Sequence, residues 1–157
     1  MATFLELAPA IRAGVTYPGG AFKSERHFLD FLIDGNSLWK QLKKPDMVSI
    51  LCSEYAAKSL DESVKAVNRL LLLEEADHPN DRRTLFICSE CGDLGCGAIT
   101  SLILREGGAI IWKDFGVQNN YDDNIALTAY QGVGPFIFDA AAYERVITQA
   151  RAMLPAL

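Results

Sequence analysis

The chain has 157 residues, half of them hydrophobic and 22% charged, which suits one globular domain with a sizeable core rather than a disordered tract. Its net charge of −5 disfavours a general nucleic-acid binder, which needs a basic face to displace counterions, and disfavours attraction to anionic membranes. No stretch is apolar enough to span a bilayer, and the N-terminus lacks a basic n-region, so the expectation is a cytoplasmic protein.

Phe4 to Ile11 reads as an edge strand, with Pro9 marking a bend or bulge. Tyr17 to Gly20 is a turn signal. His27 to Ile33 reads as a strand closed by Asp34-Gly35, and Asn36 or Ser37 can cap a short helix through Leu42. Pro45 stops that helix. Met47 to Cys52 is apolar and fits either strand or helix. Ser59 or Asp61 can cap the next helix, with Val64, Val67, Leu70 and Leu71 on its apolar face.

His78 to Asp81 reads as a loop, Arg83 to Cys88 as a strand, and Ala98 to Arg105 as another. Glu106-Gly107-Gly108 is a tight reversal into a strand from Ala109 to Phe115. Gly132, Gly134 and Pro135 mark a turn before a short strand, Phe136 to Phe138. Asp139 can cap a last helix whose apolar stripe is Tyr143, Val146, Ile147, Ala150, Met153 and Leu154. The expected fold class is α+β: an antiparallel sheet meander covered mainly on one side by helices, in two layers and one domain.

The most distinctive segment runs from Cys88 to Gly97. Cys88 and Cys91, with two residues between them and followed by Gly92, have the form of a metal knuckle, and Cys96 could be a third zinc ligand. A closed zinc site needs a fourth ligand; His78, Asp93 and Cys52 are candidates. The rival readings are a tight glycine-rich loop with buried reduced cysteines, and thiol redox chemistry. Glu90 and Asp93 argue against the last, because nearby acids raise a thiol pKa.

Three segments, Cys88 to Thr100, Trp112 to Tyr121 and Gly132 to Phe138, resemble a family of small, largely uncharacterised bacterial proteins. The shared features are the Cys-x-x-Cys-Gly-Asp-x-Gly-Cys-Gly loop, a Trp-x-x-Phe-Gly strand end and a Gly-Pro-aromatic-x-Phe strand. The resemblance covers roughly the C-terminal half and implies no particular activity.

His27 and His78 stand without a nucleophile and orienting acid, so neither makes a triad, and no phosphate-binding glycine loop is present. Acids recur in the connecting segments: Glu74, Glu75, Asp77, Asp81, Glu90, Asp93, Asp114, Asp122 and Asp123, accompanied by Tyr121 and Tyr130. Such loops can dock a basic partner, acids steering the encounter and tyrosine supplying contact area. An ordinary solvated acidic surface is the plain alternative. The leading expectation is a non-enzymatic acidic binding protein, of the type of immunity proteins that occlude a basic toxin or nuclease. Its partner-binding residues are Glu90, Asp93, Tyr121, Asp122 and Asp123. The alternatives are a zinc-stabilised structural or regulatory domain and a thiol-dependent oxidoreductase.

Overall fold

The computed structural model describes residues 2–90, 96–119, 121 and 124–157. The chain opens with β1 (Leu5–Arg12), a small hairpin of β2 (Val15–Thr16) and β3 (Phe22–Lys23), and β4 (Arg26–Ile33). Then come β5 (Asn36–Ser37), α1 (Leu38–Leu42), β6 (Met47–Ser49), α2 (Ser53–Lys58) and α3 (Leu60–Leu70). The second half holds β7 (Arg82–Cys88), β8 (Ala98–Glu106), β9 (Ala109–Gln118), β10 (Phe136–Asp139) and α4 (Ala140–Met153).

The caps follow the local chemistry. The side chains of Ser37, Ser59 and Asp139 each accept a backbone N–H in the first turn of α1, α3 and α4. α1 closes at Lys43 in the left-handed region, two residues before Pro45. Met47–Ser49 resolves as strand, and Cys52 bridges to Phe28 instead of continuing β6.

β6 to β10 form the antiparallel meander, in spatial order β10-β9-β8-β7-β6. A second sheet, β1-β4-β5, was not separated from the meander by the sequence pattern. It is stitched to both edges of the first: Thr3 pairs with Phe138 at β10, and the Leu29 N–H donates to the Leu51 carbonyl just past β6. The outcome is an α+β fold with antiparallel sheet partly covered by helices, consistent with two layers.

One buried cluster joins these parts. Trp112 on β9 meets Phe31 on β4 and Phe138 on β10 edge-on, and its Nε1–H faces the Tyr143 hydroxyl of α4 at 3.2 Å. Tyr143 in turn donates to the Leu70 carbonyl of α3 at 2.7 Å. Tyr143, Ile147, Ala150 and Leu154 are buried, as the helical stripe requires, while Val146 and Met153 are half-buried at its margin. On α3 the face is rotated from expectation. Val64 is 42% exposed, and Ala66, Val67 and Leu70 are buried.

Two bulges cross the meander at one level. Leu85 on β7 is an extra residue opposite the Ile99–Thr100 step of β8, and Asp114 and Phe115 on β9 stand opposite the single Ser101. The register then sets Thr84, Thr100 and Gly116 side by side on one face. That face is opposite the one where Ile103 and Trp112 meet the core.

Among the described residues, no helix is long and apolar enough to cross a membrane.

Candidate functional site at the loop end of the sheet

β7 ends, β8 begins and β9 ends at the same edge of the meander, so the segments following Cys88 and Gln118 leave from one end of the sheet. Cys88, Glu90, Cys96 and Tyr121 all belong to these two segments. Cys91, Asp93, Asp122 and Asp123 lie outside the described residues.

The start of the cysteine loop is held from three sides. The Tyr55 hydroxyl donates to the Cys88 carbonyl at 2.8 Å, and Arg26 Nε donates to the Ser89 carbonyl at 2.7 Å. Glu90 Oε1 accepts from Arg12 Nη1 at 3.0 Å and from the Ser24 N–H at 2.9 Å. Arg12 is only 4% exposed, and Glu90 at 3.0 Å, with Asp46 Oδ1 4.0 Å from Nη2, balances the buried guanidinium. The acid expected to face a partner therefore also braces the loop against β1 and the start of β4.

Cys88 is half-buried and Cys96 exposed. Among the described residues, no group of three or more histidine, cysteine or acidic side chains is arranged to hold a metal ion. The buried Cys52 thiol is pushed up to about 11, mainly by desolvation, and Glu54 Oε1, 3.8 Å from Sγ, acts in the same direction. It is a protonated thiol at neutral pH and a poor nucleophile. His27 sits between two carboxylates, with Nδ1 3.1 Å from Glu54 Oε2 and Nε2 3.2 Å from Glu25 Oε2.

Tyr121 is 76% exposed, its N–H donating to Asn119 Oδ1 at 2.9 Å. Tyr130, grouped with it by sequence, is instead buried, its hydroxyl donating to the Leu42 carbonyl at 2.7 Å.

Behind the loops lies a polar cluster that sequence reading missed. Arg82 is 2% exposed. Its Nε donates to Thr100 Oγ1 and Gln118 Oε1, both at 2.9 Å, and its Nη2 donates to the carbonyls of Thr100 (2.9 Å) and Asp114. The Asp114 carbonyl sits in the β9 bulge, outside the regular ladder, so a buried arginine satisfies an acceptor that the bulge frees. Burial works against the charge of Arg82, and nearby Asp114 supports it.

His78, also buried, sets Nε2 2.8 Å from Thr84 Oγ1, and desolvation lowers its pKa, favouring neutral imidazole. The Asn119 backbone carbonyl acts on the ring in the opposite direction, without meeting hydrogen-bond geometry at Nδ1. Thr100 and Gln118 do fall inside two of the distinctive sequence segments, but nothing in one strand's sequence says that an arginine from another lies between them.

Beside this cluster is a pocket of about 400 Å³ lined, among the described residues, by Cys96, Gly97, Val117, Gln118, Asn119, Asn124, Ile125 and Ala126. Its far side is pinned by reciprocal hydrogen bonds between Val117 and Ala126, at 3.0 and 2.9 Å. Gly116 makes the approach feasible: a Cβ there would stand 2.7 Å from Leu127 Cδ2 and 2.8 Å from Ile125 Cγ2. The glycine of the Trp-x-x-Phe-Gly segment is thus explained by packing, as is Gly134, which has positive φ and lies against Phe115.

Compared with known protein families, characterised proteins and solved structures, the chain matches none.

Proposed function

We propose that the chain is a non-enzymatic acidic binding protein that acts in the cytoplasm and docks a basic protein partner, in the manner of an immunity-type inhibitor of a toxin or nuclease. The observation that carries this reading is the exposed Tyr121 ring on the same end of the sheet as the cysteine loop, in a chain of net charge −5. Tyrosine supplies large contact area with little rotamer entropy to lose, and acids accelerate encounter with a basic surface. Asp93, Asp122 and Asp123 serve as the steering acids, and Glu90 adds charge while bracing its loop.

The test is capture of the partner from the source cell, followed by association kinetics over a salt series. Reversing Asp122 and Asp123 to lysine lowers the on-rate, and Tyr121→Ala raises the off-rate by roughly tenfold or more, as loss of an interface anchor does. Salt-independent association with no effect of either change refutes the reading.

A second reading, a zinc-stabilised loop, is favoured by one observation: Cys88 closes β7 and Cys96 stands just before β8, at adjacent strand ends. Stoichiometric zinc in the purified protein, lost on replacing Cys88 and Cys96 by serine, supports it; metal-free protein with an intact fold removes it.

A further inference from the structure

We propose that the cleft between the α2–α3 pair and β7 binds a free α-amino acid with an apolar side chain, its two-signed head held by Arg69 and Asp77 and its side chain laid on Ile50 and Ile87. The site goes beyond the docking reading, since it requires no protein partner.

The cleft exists because of the side chains that α3 turns toward the sheet. Ser59, Ser63 and Ala66, three or four residues apart, line one wall, and Ala56 of α2 continues it. The large apolar side chains of the same helical stretch, Leu60 (77% exposed) and Val64 (42% exposed), face solvent instead. Protein interiors are ordinarily filled to near-crystal density. Small residues over the sheet, with large ones left outside, therefore keep a space of about 250 Å³ open beside Ile50 and Ile87. At about 30 Å³ per water-sized group this takes roughly eight such groups, the size of leucine rather than of a drug-sized ligand. The residues that border the undescribed stretches, Glu90, Cys96, Asn119, Tyr121 and Asn124, do not line it.

Charge decides what the head of the ligand is. Of the charged side chains lining the cleft, two are engaged within the protein: Lys58 Nζ lies 5.9 Å from the centroid of the Tyr55 ring, and Glu62 Oε1 is 3.9 Å from Lys65 Nζ. The other two, Arg69 and Asp77, are half-buried and stand at the same end. Both act on the charges of His78 and Arg83, Arg69 opposing them and Asp77 supporting them. Arg69 makes no hydrogen bond or ion pair with any described residue, Asp77 included. Asp77 Oδ1 accepts the Thr84 N–H at 3.1 Å, which leaves its second oxygen for a ligand. A lone anion at this end would meet Asp77, and a lone cation would meet Arg69 and Arg83. A head carrying both signs satisfies both, its carboxylate on the guanidinium fork of Arg69 and its ammonium on Asp77. An α-amino acid carries those two charges on one carbon, and its side chain then runs along the apolar floor.

The experiment titrates the full chain with L-leucine and L-methionine by calorimetry at constant ionic strength, with methyl NMR shifts followed in parallel. Three analogues dissect the ligand: glycine lacks the side chain, 4-methylpentanoate lacks the ammonium of leucine, and 3-methylbutylamine lacks its carboxylate. The expected result is saturable binding of at least one of the two amino acids, with shifts at the Ile50 and Ile87 methyls. Each analogue should bind at least about tenfold more weakly.

Arg69→Gln removes the cation, and Asp77→Asn removes the anion while keeping an acceptor for the Thr84 N–H. Each should fold and bind at least about tenfold more weakly. Ser63→Leu, which fills the cleft, should raise the melting temperature and abolish binding. The proposal is overturned if neither amino acid binds saturably, or if 4-methylpentanoate or 3-methylbutylamine matches leucine. It is equally overturned if a folded Arg69→Gln, Asp77→Asn or Ser63→Leu binds like the parent; should Ser63→Leu not fold, the two charge variants decide. Because the chain is assayed alone, these outcomes are independent of whether Tyr121 docks a partner.

Discussion

Gly116→Ala is the sharpest test of how the 124–127 segment is held. The added Cβ would stand 2.7 Å from Leu127 Cδ2, 2.8 Å from Ile125 Cγ2 and 3.1 Å from the Ala126 carbonyl oxygen, where ordinary contacts begin near 3.4 Å. A leucine methyl can rotate away, but the Ala126 oxygen is backbone and accepts the Val117 N–H. All three atoms belong to one short stretch, so relief means lifting that stretch off β9. Two hydrogen bonds of about 1 kcal/mol each are then lost, together with modest apolar contact from the half-buried Ile125 and the exposed Leu127. The expected destabilisation is about 2–3 kcal/mol, which at this chain length lowers the melting temperature by roughly 4–12 °C. Hydrogen exchange should report the same event locally, as faster exchange at the Val117 and Ala126 amides. A melting temperature unchanged within a degree, with protection at both amides intact, would refute the claim that glycine is required by close approach.

Glu90→Ala removes the nearer of the two carboxylates facing the buried Arg12 and should cost about 1–2 kcal/mol in denaturant unfolding, less than for a deeply buried pair because Glu90 itself is partly solvated and Asp46 remains. Val146→Asp puts a charge at the half-buried margin of the α4 stripe and should cost about 1–3 kcal/mol by thermal melting; an unchanged midpoint would mean the margin is solvent. Cys52 should resist alkylation by a maleimide at pH 7.5 until the protein unfolds. Its pKa is raised on folding from 9.0 to about 11, so the folded state holds this proton more tightly than the unfolded chain. Its contribution is complete below about pH 9 and is lost as pH rises toward 11; by linkage the loss is about 2–3 kcal/mol, and Cys52→Ala should flatten that part of the stability profile.

What could be read from the sequence was what is decided within a few residues. Ser37, Ser59 and Asp139 cap their helices because a short polar side chain can reach an amide two or three positions on. The Gly107-Gly108 reversal and the Tyr17–Gly20 turn follow from backbone freedom at glycine. α2 escaped notice because its six residues carry no apolar stripe and its cap, Cys52, makes no side-chain hydrogen bond. Val64 fits the helical period as well as Ala66 does; only the packing of α3 against α4 and α2 chooses between them. The site was legible as a cysteine loop and an acidic, tyrosine-bearing loop. Their meeting at one sheet end, the pairing of Glu90 with Arg12 and the burial of Arg82 depend on strand register across long sequence separations. An arginine at the head of a strand reads as solvated until a bulge elsewhere supplies its acceptors.

The two bulges also divide the meander into zones of different phase. From the Gly107-Gly108 turn inward, even-numbered β9 residues such as Ile110 and Trp112 face the core; within the bulge that role passes to Phe115, out of step by one. Alternation counted from the turn thus assigns the wrong side to residues near the loops. The bulge line on either side of Thr100 behaves as a phase boundary, and the natural seam for a chimaera. Loop ends exchanged beyond it carry their own inside–outside pattern and leave the aromatic packing around Trp112 in register.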